Sequence, residues 1–317
     1  MKLKHYKKLI VVPVYEDRQV AARLFGEISQ ICGGEVFLLA VDDGSVQAPL
    51  DLAAFRDASL DGAIIRLRRN VGHQKAIAIG LSYLSQYVQD THAIVVMDSD
   101  GEDLPSSIIQ LVDALQDDQV DIAVAQRRRR VETVKFKASY FLYKLLFKSL
   151  TGRNINFGNF MAMKAMGLRR LAAMQELPLH LAATALVSKL RIRPIVIDRG
   201  PRYAGRSKMN FVGLVLHAFR ALMVFAEDVL VRVGLLCSLI ATFSVLFAVL
   251  AVILKLIGFA TPGWFSVALG VLIVIFLQTG ALALMTLILT GIVRSDNTAG
   301  TIVYSDFIET IVDIKND

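Results

Sequence analysis

Residues Ala93–Pro105 read AIVVMDSDGEDLP. The apolar run Ala93–Met97 is short and closed by a polar turn, the pattern of a buried parallel strand. The open end of such a strand is where α/β sheets place ligands. Asp98 and Asp100 alternate, so an extended backbone points both the same way. Same-face carboxylates repel each other unless a cation lies between them. Hard oxygen ligands select Mg²⁺ or Mn²⁺, metals that commonly bridge to substrate phosphates. The plainer alternative is a solvated acidic turn before a helix, with Asp103 or Ser106 as cap and Pro105 in the first turn.

Working outward, the N-terminal half alternates strand and helix patterns. Strands are expected at Lys8–Val14, Val36–Val41, Ala63–Leu67, Ala93–Met97 and Asp121–Ala125, with helices to about Ile31, over Asn70–Tyr87 and over Ile108–Leu115. This βαβ order predicts a mostly parallel, covered sheet with polar clusters beyond its strand ends. The clusters are Glu16, the pair Asp42/Asp43 and the Asp98–Asp103 stretch. Three acidic strand ends on one edge suit a nucleotide held by metal and ribose contacts. Neither Gly-x-Gly-x-x-Gly nor a Gly-Lys-Ser/Thr loop is present, so a dinucleotide site or a P-loop has no support. A diphosphate must then be neutralised by metal and basic side chains.

The C-terminal third is different in kind. Val233–Leu254 is 22 residues without a charge and Leu256–Val293 is 38. A membrane span needs about 20 apolar residues. Two spans are expected, about Val233–Ile257 and Ser266–Val293, with a turn around Thr261–Gly263. The N-terminus is not a signal peptide, because its apolar run breaks at Pro13. Cys32 and Cys237 offer no disulfide framework or zinc spacing.

Charge is also segregated. Residues 1–121 hold 11 Lys+Arg against 18 Asp+Glu, whereas residues 122–220 hold 20 against 3. The basic part suits an anionic partner or a membrane surface. By the positive-inside rule the basic domain and the C-terminal tail face the cytoplasm. Arg127–Arg130 follows the fifth strand and could clamp a diphosphate. Lys135–Lys148 alternates basic residues with Phe, Tyr and Leu, a pattern suited to a headgroup layer. A short strand at Pro194–Ile197 precedes Arg199, Arg202, Arg206 and Lys208, and Phe211–Val231 reads as an amphipathic helix entering the first span.

Together these stretches resemble the family 2 glycosyltransferases, and more narrowly the polyprenyl-phosphate group that includes dolichyl-phosphate mannose synthase and bacterial undecaprenyl-phosphate glucosyltransferases. The resemblance is carried by Val12-Pro13-Val14-Tyr15-Glu16, Asp42-Asp43-Gly44-Ser45, Arg69-Asn70-Val71-Gly72, Asp98-Ser99-Asp100, the Arg202–Lys208 loop and the two C-terminal apolar runs. It implies a GT-A, Rossmann-like α/β nucleotide-sugar domain over residues 1–210, a juxtamembrane amphipathic helix over 211–231, two transmembrane helices within 232–293 and a cytoplasmic tail over 294–317.

The same resemblance implies roles. Pro13, Glu16, Asp42 and Asp43 would border the nucleoside of a UDP-sugar. Asp98 and Asp100 would hold Mg²⁺ or Mn²⁺ with the donor diphosphate, and Glu102 stands where such enzymes often carry Gln as a further metal-site residue. Arg127 would contact the donor, and Arg202, Arg206 and Lys208 the lipid phosphate. Relatives often carry Gly-Asp-Phe where this chain has Gly158-Asn159-Phe160, and an amide at that catalytic position cannot act as a base. The expected acceptor, a polyprenyl (undecaprenyl) phosphate, is a monoester and can itself be the nucleophile.

The expectation is an inverting enzyme on the cytoplasmic membrane face, glucose-like in its donor sugar, with the bilayer as partner, no nucleic acid, and a homotetramer allowed by the resemblance. Two other readings compete with this one. A processive polysaccharide synthase usually adds a Gln-x-x-Arg-Trp motif, whereas the single tryptophan here, Trp264, lies near the turn between spans. A non-catalytic relative is favoured only by Asn159.

Overall fold

A computed structural model of the chain describes residues 3–127, 145–204, 211–259, 261, 263–296 and 304–314. Two compact units are present. The first comprises Met1–Thr133, Ile155–Val224 and Thr301–Asp317, and the second Val134–Asn154 and Phe225–Gly300.

The first unit is built on a mixed sheet of eight strands among the described residues. They are β1 (Lys8–Val14), β2 (Val36–Asp42), β3 (Gly62–Leu67), β4 (Ala93–Val96), β5 (Ile122–Arg127), β6 (Met161–Lys164), β7 (Ile192–Ile197) and β8 (Ile308–Asp313), in the order β7-β5-β6-β4-β1-β2-β3-β8. β1, β2, β3 and β4 run parallel, while β6 pairs antiparallel with both β4 and β5. Parallel neighbours place the C-terminal ends of β1, β2 and β4 on one edge, which gathers Glu16, Asp42, Asp43 and Asp98 there. Pro13 is tolerated in β1 because β4 pairs only as far as Val11, so no ladder partner from β4 lies opposite it.

Helices cover both faces: α1 (Arg18–Cys32), α2 (Ala53–Asp57) and α4 (Ser107–Asp113) on one side, α3 (His73–Ser85), α5 (Ala165–Ala172) and α6 (Leu181–Val187) on the other. β1 shows the period of two: Leu9 and Val11 pack with Ile77 and Leu81 of α3, while Ile10 and Val12 pack with Leu24 and Phe25 of α1. Each such fully buried side chain contributes about 1.5–3 kcal/mol. α3 lies close on the sheet because residue 80 is glycine. A Cβ there would stand 2.8 Å from methyl carbons of Val11 and Val41.

Three features differ from the sequence expectation. β6 went unread because four residues, MAMK, carry no strand period. The amphipathic helix expected over 211–231 is divided: α7 (Phe211–Met223) ends before Val224, and the next helix, α8 (Ala226–Leu256), opens with Glu227 and Asp228 in its first turn, where carboxylates suit the helix dipole. The tail expected over 294–317 includes β8, antiparallel to β3, with Val312 and Ile314 against the core. An open edge at β3 and an alternating IETIVD segment are sufficient cause. The basic stretch 135–148 lies mostly outside the described residues.

In the second unit α8 and α9 (Trp264–Asp296) are each long and apolar enough to cross a membrane. Leu235, Leu246, Phe247, Leu277, Leu284 and Ile288 are among their many exposed apolar side chains. Gly234 of α8 lies against Thr286 of α9, where a Cβ would sit 2.7 Å from the hydroxyl. Small residues at the crossing let apolar helices approach closely.

α7 belongs to the first unit and is tied to α6 by two histidines. His180 caps α6, its Nδ1 accepting from the Ala183 amide at 3.2 Å. That leaves Nε2 to carry the proton of the neutral ring and donate to Nε2 of His217, 3.0 Å away. Burial, then the neighbouring His217, push the His180 pKa down to about 3. A ring held neutral in the fold contributes stability above its unfolded value near 6.5, and that contribution is lost as pH falls from about 6.5 toward 3. The melting temperature is therefore expected to drop between pH 7 and pH 5. His180→Asn, which keeps a capping acceptor without the titration, should flatten that slope, and an equally steep slope in the variant would contradict this role.

Candidate active site

The acidic edge is assembled by loops that bring donors to every carboxylate. Glu16 sits just past β1 with φ of 50°. Its carboxylate accepts from the amides of Val46, Gln47 and Ala48 at 2.6–3.1 Å. Asp42, the last residue of β2, is buried and accepts from the amides of Ser45 at 3.1 Å and Leu50 at 2.9 Å. The two side chains expected to border a nucleoside therefore shape the 43–50 loop. Asp43 accepts from the amides of Val71 at 2.7 Å and Gly72 at 3.0 Å. Its burial raises its pKa, and those two amides offset part of the rise. Gly44 is required here: with φ of 70° its Cβ would fall 2.4 Å from the Arg69 carbonyl carbon.

The Asp98–Asp103 turn is held from below and from one side. Asp103 is buried and accepts from the Asp98 amide at 3.1 Å, and Asp100 accepts from the Glu102 amide at 3.0 Å. The 199–203 loop latches onto the turn through main-chain bonds, Gly200 N–H to Glu102 O and Tyr203 N–H to Asp100 O, each 3.0 Å. Arg202 Nη2 lies 2.8 Å from Asp100 Oδ2 and its Nε 3.7 Å from Glu102 Oε1. Arg199 pairs with the other Glu102 oxygen. The Arg199 Nε is buried without a hydrogen-bond partner among the described residues, a donor suited to an anionic oxygen. The Tyr203 ring lies directly under Gly101, whose φ is 83°, and its hydroxyl donates to Glu27.

On the opposite side stand residues that the sequence reading did not single out. His73 opens α3 and places Nε2 3.0 Å from Asp98 Oδ1. Desolvation alone would lower its pKa, but Asp98 chiefly, with Asp43 and Asp100, raises it instead. Gln74 is buried, accepts from the Leu181 amide at 2.8 Å and donates to Asn159 Oδ1 at 3.0 Å. Asn159 Nδ2 faces His73 Nε2 at 3.2 Å. A His-Gln pair directly after Arg69-Asn70-Val71-Gly72, at a helix start beneath acidic strand ends, was the available signal.

Among the described residues no group of three His, Cys, Asp or Glu side chains is disposed to hold a metal ion. The Glu102 carboxylate is engaged by Arg199 and, at 3.7 Å, by Arg202, as Asp100 is by Arg202 and Asp98 by His73. Asp98 and Asp100 are hard oxygen donors at the strand end and fit a cation that takes its remaining ligands from a diphosphate. Arg127 ends β5, and nothing further is described of its side chain. Arg206 and Lys208 lie outside the described residues, as do 128–130 of the arginine run.

With this geometry in place, the comparisons agree. The family model described as Glycosyl transferase family 2 matches residues 9–177. The undecaprenyl-phosphate 4-deoxy-4-formamido-L-arabinose transferases of Salmonella paratyphi B and Salmonella newport are each 25% identical over 257 residues, covering 79% of this chain and 77% of those proteins. The crystal structure of glucosyl-3-phosphoglycerate synthase from Mycobacterium tuberculosis with Mn²⁺ and UDP-glucose aligns with a TM-score of 0.50 at 13% identity, over 71% of this chain and 80% of that one. That likeness shows the fold, which is GT-A. The chain belongs to glycosyl transferase family 2, and it is a glycosyltransferase.

Because Tyr203 fills the space where a Gly101 side chain would go, Gly101→Ala should push the 199–203 loop off the turn and separate Arg202 from Asp100. Turnover is expected to fall roughly tenfold or more, with a melting temperature lower by only a few degrees. Parent-like kinetics in a folded variant would show that the latch is dispensable.

Proposed function

We propose that this glycosyltransferase moves one sugar from a UDP-sugar to a polyprenyl phosphate, undecaprenyl phosphate, at the cytoplasmic face of a membrane. The observation that carries this is the Asp98–Asp100 turn set opposite Arg199 and Arg202, in a chain that also has two helices of membrane-crossing length. The naming of the Salmonella relatives for an undecaprenyl-phosphate acceptor supports the same choice. Crystals of the mycobacterial neighbour contain Mn²⁺ and UDP-glucose.

In this reading Asp98 and Asp100 hold the donor end of the site. Mg²⁺ or Mn²⁺ bound there would neutralise the charge that develops on the leaving diphosphate. Arg202 now contacts Asp100, so it and Arg199 are placed to turn to the donor diphosphate rather than to the lipid phosphate expected for Arg202. The 43–50 loop built by Glu16 and Asp42 borders the nucleoside. The acceptor needs no base, because a phosphate monoester has a second pKa of about 6 and is largely a dianion at neutral pH. Its oxygen lone pair forms the new bond to the anomeric carbon. The bond from that carbon to the diphosphate breaks, UDP leaves with the electron pair, and configuration inverts. The enzyme's contribution is in-line positioning and charge stabilisation.

The fold also supports the orientation. β8 follows α9 and lies in the same sheet as β1–β3, which precede α8. Chain segments on either side of the helical pair thus share one unit, which suits two crossings with both ends on the cytoplasmic side. The exposed Val215, Leu216, Phe219 and Met223 give α7 an apolar surface for the headgroup layer.

Two experiments test this reading. UDP release from UDP-sugars should require added undecaprenyl phosphate and Mn²⁺ or Mg²⁺ and should stop in EDTA, and Asp100→Asn should lower it roughly a hundredfold or more. Full activity in EDTA would remove the metal. In a background lacking Cys32 and Cys237, a cysteine at Gly263 should react with an impermeant thiol reagent outside intact cells and one at Ser305 should not. External labelling at Ser305 would overturn the topology.

A further inference from the structure

We infer that Gln74 fixes the amide of Asn159 so that its nitrogen faces the reacting centre, and that this N–H donates to an oxygen of the acceptor phosphate. The second half rests on the acceptor proposed above.

The oxygen and nitrogen of a side-chain amide are told apart by their partners. The fixed point here is the main-chain N–H of Leu181, which can only donate. It meets Gln74 Oε1 at 2.8 Å. Gln74 is 2% exposed, so turning its amide over would bury two donors face to face. Its Nε2 must therefore point away from α6, and there it donates to Asn159 Oδ1 at 3.0 Å. Asn159 is then fixed in turn: its Nδ2 lies 3.2 Å from His73 Nε2, whose proton goes to Asp98 at 3.0 Å. That ring nitrogen therefore offers Nδ2 no lone pair, and the amide's donors are left for an anion in the site. One backbone amide thus sets the polarity of a chain ending next to the donor carboxylates. Asn159 itself lies just before β6, half-buried at the open edge of the sheet.

This gives the amide at 159 a chemical reason. An aspartate here could accept from Gln74 with one oxygen but would present its other oxygen to the site. That charge would repel a phosphate dianion. The amide presents a donor to the same anion, at a position close enough to Asp98 for the phosphate to meet the anomeric carbon. Asn159 is assigned as a binding residue for the acceptor and Gln74 as the residue that positions it.

The test uses the full chain in detergent, with geranyl phosphate as binding probe by calorimetry and undecaprenyl phosphate as substrate. Asn159→Asp, nearly isosteric, should raise the geranyl phosphate Kd and the undecaprenyl phosphate KM roughly ten- to a hundredfold. UDP affinity should stay within about twofold. Gln74→Glu still accepts from Leu181 but cannot donate to Asn159, so it should turn that amide over and move the same KM. A merely structural role for Gln74 would shift UDP affinity, kcat and melting temperature alike. Should Gln74→Glu fail to fold, Asn159→Asp alone decides. Unchanged lipid-phosphate binding in Asn159→Asp, or a gain in turnover that titrates like a carboxylate base, would overturn the assignment while leaving the acceptor in place. A parent that neither binds geranyl phosphate nor uses undecaprenyl phosphate would overturn both.

Discussion

The site rests on one electrostatic constraint: many carboxylates share the end of one sheet, and few of them face bulk water. Glu16, Asp42, Asp43, Asp98, Asp100, Glu102 and Asp103 stand at the ends of β1, β2 and β4 or in the turn that follows. Gathered in this way, unpaired carboxylates would cost several kcal/mol each. The loops are shaped by the need to answer them. Main-chain amides serve Glu16, Asp42, Asp43 and Asp103. Guanidiniums serve Asp100 and Glu102, and an imidazole serves Asp98. The inner carboxylates are thus answered by main-chain amides, whereas Asp98, Asp100 and Glu102 are paired by side chains that can exchange partners. A diphosphate with its cation is the ligand such an exchange suits.

Much of this was legible in the sequence because it depends on short-range chemistry. Apolar runs ending in acids gave β1, β2 and β4 with their sheet edge, and two long uncharged runs gave α8 and α9. What was not legible depends on long-range contacts. The pairing of Arg202 with Asp100 joins residues about a hundred positions apart in sequence, and charge alone suited either phosphate. β8 joins β3 across more than two hundred residues, and a six-residue segment after a membrane-length helix reads more simply as a tail. Nothing in the sequence shows that a loop supplies amide donors to Glu16 and Asp42 as well. Glu102 stands where relatives often carry Gln, and nothing in the sequence shows that arginines on a distant loop pair with its carboxylate.

Asn159 shows where motif matching and physics separate. Against the motif it is a missing base. Within the structure it is the outer end of a hydrogen-bond chain that begins at a backbone amide of α6 and passes through buried Gln74. Since a phosphate monoester brings its own nucleophilic charge, loss of a base is compatible with glycosyl transfer in a family member. Fold and family are shared with enzymes that act on other acceptors, so acceptor choice has to come from residues of this kind rather than from the sheet.

Mass spectrometry and NMR of the lipid product bear most directly on this chemistry. Incubating the purified chain with Mn²⁺, undecaprenyl phosphate and a mixture of α-linked UDP-sugars should yield UDP and a lipid that has gained one sugar through a single phosphate, in the β configuration. A sugar–phosphate transfer product carrying a diphosphate, a polymer, or a retained α linkage would contradict direct attack by the lipid phosphate on the anomeric carbon.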